Sequence, residues 1–599
     1  MAIWAKAFGP SNPSYADAQA GRALALANLG DRVSALSNAV SAEATGRAHL
    51  RTMLRSLPER QSLEYATVRP RALDLILSLS RSTPDGGDVA MDSVIRSRAI
   101  VLDEMGARQR SQQVSGADPL RTAFSSAQQR IANLVVRGPG ELSLAQYSAV
   151  LQEARGNSEL AEQALAERSA DFRSERSRAQ IGLDEVKAAL PDDSALVAFV
   201  RHDRTVLPDA TKSSTQRSQS ASRVVSSYLA LVTRKGRPSV AVPIGPAYTI
   251  PVAPLLGDAT RVFIVPDGTL NLVPFSALPV GQRSYMIERL PLVHYLSAER
   301  DVVPSPHEGG SGGHGLLALG GPAFDDATLF GGGKGQPGSS TKASSSLRGA
   351  GRSADLPCDV ALSVQAMTFP SLDGALQEVH ELSRVWNTSA ASHAEASRVL
   401  VGHEASEQTL KKEASLYRVL HLATHGFFLR DSCPPARAVG GLVSASKNPS
   451  AGVPVENALL LSGLALAGAN RRQAASPNED DGILTAAEVA SLNLGGVEWA
   501  VLSACDTGLG EIRAGEGVFG LRRAFQIAGV RTVIMSLWSV DDQATRNWMR
   551  VLYEGRFQKA LDTADAVREA SLTVLRSRRA KGQSTLAFYW AAFVAADWR

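Results

Sequence analysis

Helix-forming residues dominate the first third of the chain. From about residue 15 to residue 180 it is rich in Ala, Leu, Arg, Glu and Gln, with few strand-like runs, and reads as helical. Small residues at Ala23, Ala27, Ala35 and Ala39 let two helices approach, with Gly30-Asp31 as the turn between them. From Pro191 the texture changes. Residues 195–200, 228–233 and 239–243 read as strands, a small antiparallel entry to a sheet. Further on, 262–265, 316–319, 418–423, 497–504 and 532–537 are short apolar runs separated by helical segments. That alternation predicts a mainly parallel sheet with helices on both faces, an α/β fold behind an all-α region. Residues 203–222, 304–313 with 331–358, and 431–454 with 471–480 are long and low in apolar content, so they are expected to be poorly ordered.

Composition narrows the class without choosing a function. At 599 residues the chain should form more than one domain, because single cores stop growing near ~250–300 residues. The expected division is 1–185, helical, and 186–599, α/β. A net charge of +4 gives no case for nucleic-acid or anionic-membrane binding. The N-terminus shows no signal-peptide core. No run reaches the ~18 apolar residues of a membrane span. Three cysteines, Cys358, Cys433 and Cys505, lie at no metal-like spacing, so a reducing cytoplasm is the expected setting.

Two of the apolar runs each end in a reactive residue. One leads through His421 to His425-Gly426, the other through Ser503-Ala504 to Cys505-Asp506-Thr507-Gly508. In an open parallel sheet, chemistry collects at the C-terminal ends of strands. A thiolate is the attacking species of a cysteine nucleophile, and a neighbouring imidazole generates it near neutral pH. His425 and Cys505 are therefore the expected base and nucleophile. The backbone N–H groups of Gly426 and Cys505 are the candidate oxyanion donors. His421, within the strand, is assigned to the core. Cys433, beside Pro434 and Pro435, is incidental. No metal or organic cofactor is needed for this chemistry, and none is expected.

The blocks around these residues form an ordered series. It contains Val262-Phe263-Ile264-Val265-Pro266-Asp267-Gly268, then Leu319-Gly320-Gly321-Pro322, His421 to Phe428, and Asp481-Gly482-Ile483-Leu484-Thr485-Ala486. Leu502 to Gly510, Gly515-Glu516-Gly517, Ser536-Leu537-Trp538-Ser539-Val540-Asp541-Asp542 and Tyr589-Trp590-Ala591-Ala592-Phe593-Val594 complete it. From about Pro191 onward the chain resembles the CHAT domain, a caspase-like peptidase domain often found behind tetratricopeptide repeats. The hairpin at residues 24–36 likewise resembles one tetratricopeptide unit, although no second copy follows at the expected ~34-residue period. The resemblance implies a caspase-like fold and a cysteine endopeptidase with a His/Cys dyad acting on a protein substrate. It also implies a bacterial signalling or defence setting in which a partner at the helical region unlocks a latent enzyme. The alternative from a different class is a non-catalytic interaction scaffold.

Specificity is less marked. Asp506, Trp538, Asp541 and Asp542 are tentative substrate contacts, the last three following a strand end that the resemblance places beside the substrate. Ser503 stands where some relatives carry an acidic residue that recognises basic substrates, which favours a neutral pocket. Three motifs are set aside. Gly309-Gly310-Ser311-Gly312-Gly313 lacks the strand–turn–helix context of a hydrolase elbow. Asp506-Thr507-Gly508 has no second copy to form an aspartic-protease pair. Gly331-Gly332-Gly333-Lys334-Gly335 lacks the upstream glycine and the Ser or Thr of a phosphate loop.

Overall fold

The computed structural model describes residue 9 and residues 12–597, apart from 69–71, 112–118, 141, 170–177, 179, 208–222, 245–251, 282–283, 290, 305–311, 331–366, 390–394, 430–457, 477, 505–506, 509, 514 and 540–541. The expected poorly ordered segments lie largely outside these residues, as do Cys358 and Cys433.

Nine helices are described before the sheet: α1 (Pro13–Leu29), α2 (Arg32–Leu54), α3 (Glu59–Val68), α4 (Leu73–Leu79), α5 (Gly86–Ser97), α6 (Ile100–Ser111), α7 (Pro119–Arg137), α8 (Leu144–Ser169) and α9 (Leu183–Ala189). The α1–α2 hairpin shows why its sequence turns where it does. Gly30 closes α1 in a left-handed conformation, φ 94°, which a side chain would oppose, and Asp31 caps α2 by accepting from Ser34 N at 3.1 Å. Ala23, Ala27, Ala35 and Ala39 are all buried between the two helices.

The remaining chain, in order, gives β1 (Ser194–Val206), β2 (Arg223–Thr233), β3 (Val240–Ile244), β4 (Arg261–Val265), β5 (Pro279–Val280), β6 (Ser284–Tyr285), β7 (Leu292–Leu296) and β8 (Leu316–Pro322). Next come α10 (Asp373–Asn387), β9 (Ser397–Gly402), α11 (Glu407–Glu413), β10 (Val419–Ala423), β11 (Gly426–Phe428), β12 (Ser462–Ala465), β13 (Ile483–Thr485), α12 (Ala486–Ser491) and β14 (Trp499–Ser503). The last are β15 (Glu511–Arg513), β16 (Gly517–Phe519), α13 (Leu521–Ile527), β17 (Thr532–Ser536), α14 (Asp542–Tyr553), α15 (Thr563–Ala580) and β18 (Phe593–Asp597). Eleven strands form one sheet in the order β3-β2-β1-β4-β7-β18-β17-β14-β10-β8-β9. Its entry β1–β2–β3 is antiparallel, as expected, and β18 runs antiparallel to β17. The other described pairings in it are parallel. This is a mostly parallel, caspase-like sheet flanked by helices, behind an all-helical region of about 190 residues.

Sequence patterning passes over β7, β9 and β18, each only five or six residues long, and the small sheet β11–β12–β13. It also reads two ordered stretches as loop. Residues 203–206 continue β1, pairing with the start of β2. Within residues 471–480, Arg472 is buried and donates to the carbonyls of Ala469 and Met367, and Asp480 pairs with Lys411 at 2.9 Å. Polar residues there are held by specific partners that no local pattern reveals.

The helical region is also part of the layering. One face of the sheet is covered by α10, α14 and α15, with Trp386, Trp499, Trp548 and Trp590 fully buried among them. On the opposite face, Ile131, Val135, Tyr147 and Leu151 of α7 and α8 share a core with Leu317, Leu319, Leu420 and Leu502. Farther along that face, Ala27, Leu36, Ile76 and Val94 pack with Leu196, Ala198, Phe263 and Val265. Arg300, 2% exposed, donates to the carbonyls of Ile95, Arg98 and Ala99 and pairs with Asp103, locking helical region and sheet together. Among the described residues, no helix is long and apolar enough to cross a membrane.

Candidate functional site

Strands β10 and β14 are buried along their apolar runs and lie side by side, parallel, with Ala423 opposite Ser503. The chain therefore leaves both strands at the same edge of the sheet. Two residues beyond Ala423 stands His425, and two beyond Ser503 stands Cys505. Cys505 and Asp506 lie outside the described residues, but both flanks of their loop are anchored. The Ala504 carbonyl accepts from Ser536 Oγ at 2.6 Å and from Thr507 Oγ1 at 3.3 Å. Gly508 N donates to Ser536 O at 2.7 Å, and Ser536 N donates to Thr507 Oγ1 at 3.2 Å. Gly508 has no room for a side chain, since a Cβ there would meet Ser536 O at 2.8 Å. The neighbouring strand β17 thus fixes where the loop begins and resumes.

His425 is half-buried beside the rings of Phe324 and Phe369, at centroid distances of 5.3 and 5.7 Å, the three rings forming a triangle. Its Nε2 lies 2.9 Å from the carbonyl oxygen of Pro370. A carbonyl only accepts, so Nε2 carries the proton, and in the neutral ring Nδ1 keeps the lone pair. The backbone is held as well, because His425 O accepts from Ala465 N at 2.9 Å and Thr424 Oγ1 donates to Ala465 O. The ring is oriented and partly accessible, with its lone pair on Nδ1.

Gly426 opens β11 opposite Leu464 of β12. The ladder bonds are made by the flanking pairs, Ala465 N to His425 O and Leu429 N to Leu461 O. By the alternation of an antiparallel pair, the N–H of Gly426 is then directed away from β12. His421, in contrast, is fully buried within β10, its Nε2 2.8 Å from Glu378 and its Nδ1 3.2 Å from the Tyr553 hydroxyl.

The tentative substrate contacts are only partly described. Trp538 follows the end of β17, half-buried, with Nε1 donating to Phe588 O at 3.1 Å. It stands at the strand end next to that of β14. Asp541 lies outside the described residues. Asp542 begins α14. Residue-type reasoning passes over Pro370, Phe324 and Phe369, because a backbone carbonyl and two core-type rings have no motif. Pro370 lies 55 residues ahead of the histidine it orients.

A second polar cluster is formed by α11, α12 and the chain leading into β13. Glu407, Asp480 and Glu488 bring carboxylate oxygens within 4.8 Å of one another. The Lys411 ammonium sits among them at 2.6, 2.9 and 3.0 Å and supplies the cation that the group needs. Burial pushes Glu407 up and the adjoining Asp481 up to about 8. Gln129 of α7 donates to Asp480 at 2.6 Å, so this cluster also joins the helical region to the sheet.

A family model described as CHAT domain matches residues 245–597, which contain every residue of the strand-end site. No curated protein matches this sequence.

Proposed function

We propose that this chain, which belongs to the CHAT domain family of caspase-like peptidases, is a cysteine endopeptidase using His425 and Cys505. The observation that carries this reading is the in-register pairing of β10 with β14, whose chains lead into those two residues at one edge of the sheet. His425 Nδ1 would take the thiol proton, while the Pro370 carbonyl holds Nε2–H and so fixes the tautomer. The thiolate attacks the scissile carbonyl, and the N–H groups of Gly426 and Cys505 stabilise the oxyanion. Collapse expels the amine, which receives the proton from His425. Water, deprotonated by the same imidazole, then hydrolyses the acyl-enzyme.

The substrate is a protein segment, with Asp506, Trp538, Asp541 and Asp542 proposed along its path. Ser503, half-buried at the end of β14, supports a neutral pocket for the side chain before the cleaved bond. The proposed setting is a bacterial signalling or defence system in the cytoplasm, with the enzyme latent until a partner engages the helical region. The test is labelling by a peptidyl acyloxymethyl ketone, which alkylates a catalytic thiol. Labelling at Cys505 that is lost in His425→Ala is expected. If Cys505 reacts no faster than Cys358 and Cys433, the scaffold reading replaces the peptidase.

A further inference from the structure

Past Cys505 the chain re-enters at Thr507 and Gly508 and turns back through the hairpin β15–β16. The hairpin tip, Gly515-Glu516-Gly517, has left-handed glycines on both sides, φ 74° and 88°, which let the glutamate project from a sharp turn. Its carboxylate reaches the start of α6. Oε1 accepts from Val101 N at 3.1 Å and Oε2 from Leu102 N at 3.3 Å. The first N–H groups of a helix have no partner within it, and the helix dipole favours an anion there. Ala99, in a left-handed conformation at φ 52°, adds a third bond, its N–H to Gly515 O at 2.6 Å.

Two other blocks grip the same turn. Asp267, 3% exposed at the end of β4, accepts from Gly515 N at 3.1 Å and from Gly268 N and Arg201 N at 2.8 and 2.9 Å. Arg523 of α13 donates to Glu516 O at 3.1 Å, lies 3.7 Å from Glu516 Oε2, and also donates to Glu59 of α3. On the way back toward the cysteine, two described glycines are closely approached by their neighbours. A Cβ on Gly510 would meet Phe519 O at 2.2 Å, and Gly508 is pinned to β17.

We propose that Glu516 is a positioning residue that ties the N-terminus of α6 to the loop of Cys505, so that the helical region sets the geometry of the nucleophile. This rests on the peptidase reading and gives its regulation a physical route. A partner that shifts α6 moves the hairpin tip, and the short segment back to Gly508 passes the shift to the loop. Glu516 acts on the thiol through the backbone and touches no substrate.

The experiment uses the full chain and Glu516→Gln, which keeps the size and one acceptor oxygen but removes the charge. Hydrogen exchange read by mass spectrometry should show residues 100–104 and 507–513 exchanging faster together. The rate constant for iodoacetamide alkylation of Cys505 at pH 7 should fall about 10-fold, and its pH profile should move toward the ~8.5 of an unpaired thiol. Unchanged Cys505 reactivity, or faster exchange confined to the tip, overturns the tether. If the variant does not fold, the unmodified chain decides. The amides of Val101, Leu102 and Gly508 should then share one opening rate, and independent rates overturn the tether. A wild-type Cys505 no more reactive than Cys358 and Cys433 would instead sink the peptidase reading, while the exchange data still report on the tether.

Discussion

His425 donates its Nε2 proton to the carbonyl oxygen of Pro370 at 2.9 Å, so the only lone pair left on its neutral ring is on Nδ1. Phe324 and Phe369 hold the ring in that attitude. A base is useful only with its proton already placed, and a backbone carbonyl does this without adding a competing charge.

The proposed dyad gives the first prediction. His425→Ala should lower kcat/KM for a cleaved peptide by about 10²–10⁴-fold, the usual worth of a positioned base. Cys505→Ala should remove turnover altogether. Both variants should melt close to the unmodified chain, since His425 is only half-buried and stands beyond the end of its strand. Retained cleavage in either variant, measured on one fluorogenic peptide, would refute the assignment.

Ser536 gives the second. Its hydroxyl, fully buried, supports the carbonyl just before Cys505 at 2.6 Å. Ser536→Ala should cost about 0.5–1.5 kcal/mol of stability, the net value of one such bond. Thr507 still reaches Ala504 O, though at 3.3 Å, so the loop should loosen rather than collapse. The expected kinetic signature is a lower kcat with KM little changed.

The third concerns pH. Burial raises the Asp481 carboxyl to about 8 in the folded chain, against about 3.9 in an unfolded one. Below pH 4 both states hold the proton, and its contribution to stability is fully present. Between about pH 4 and 8 the unfolded state ionises first, so that contribution is lost as pH rises. Asp481→Asn keeps an acceptor for Ile483 N and removes the buried charge. It should raise the melting temperature more at pH 8 than at pH 5, measured by calorimetry at both. An equal rise at the two values would mean that Asp481 does not titrate in this window.

A fourth prediction follows from the shared cores. A chain beginning at Ile181 would uncover the sheet face that α7 and α8 cover, including Leu317, Leu319, Leu420 and Leu502. Each apolar side chain returned to water costs roughly 1.5–3 kcal/mol, while a whole domain is stable by only about 5–15 kcal/mol. The shortened chain should aggregate or bind a hydrophobic dye, as size-exclusion chromatography and fluorescence will show. A monomeric, cooperatively melting product would mean that the helical layer is dispensable. Latency is therefore best tested in the intact chain.

The sequence by itself determined the helical first third ahead of an α/β remainder, the helix turn at Gly30-Asp31, the central strands β4, β8, β10, β14 and β17, and the pair of residues to which β10 and β14 lead. Those features are local: a run of apolar residues needs burial on both faces, and a glycine needs its positive φ, whatever the rest of the chain does. Tertiary structure alone decided that β18 inserts between β7 and β17, that α7 and α8 roof the strands leading to the site, and that residues 471–480 are held by Met367 and Lys411. It also decided which carbonyl orients His425 and which carboxylate caps α6. Such contacts join residues tens to hundreds of positions apart, several of them through backbone groups that every residue carries. No side-chain pattern announces them, because the partner is chosen by how the layers pack.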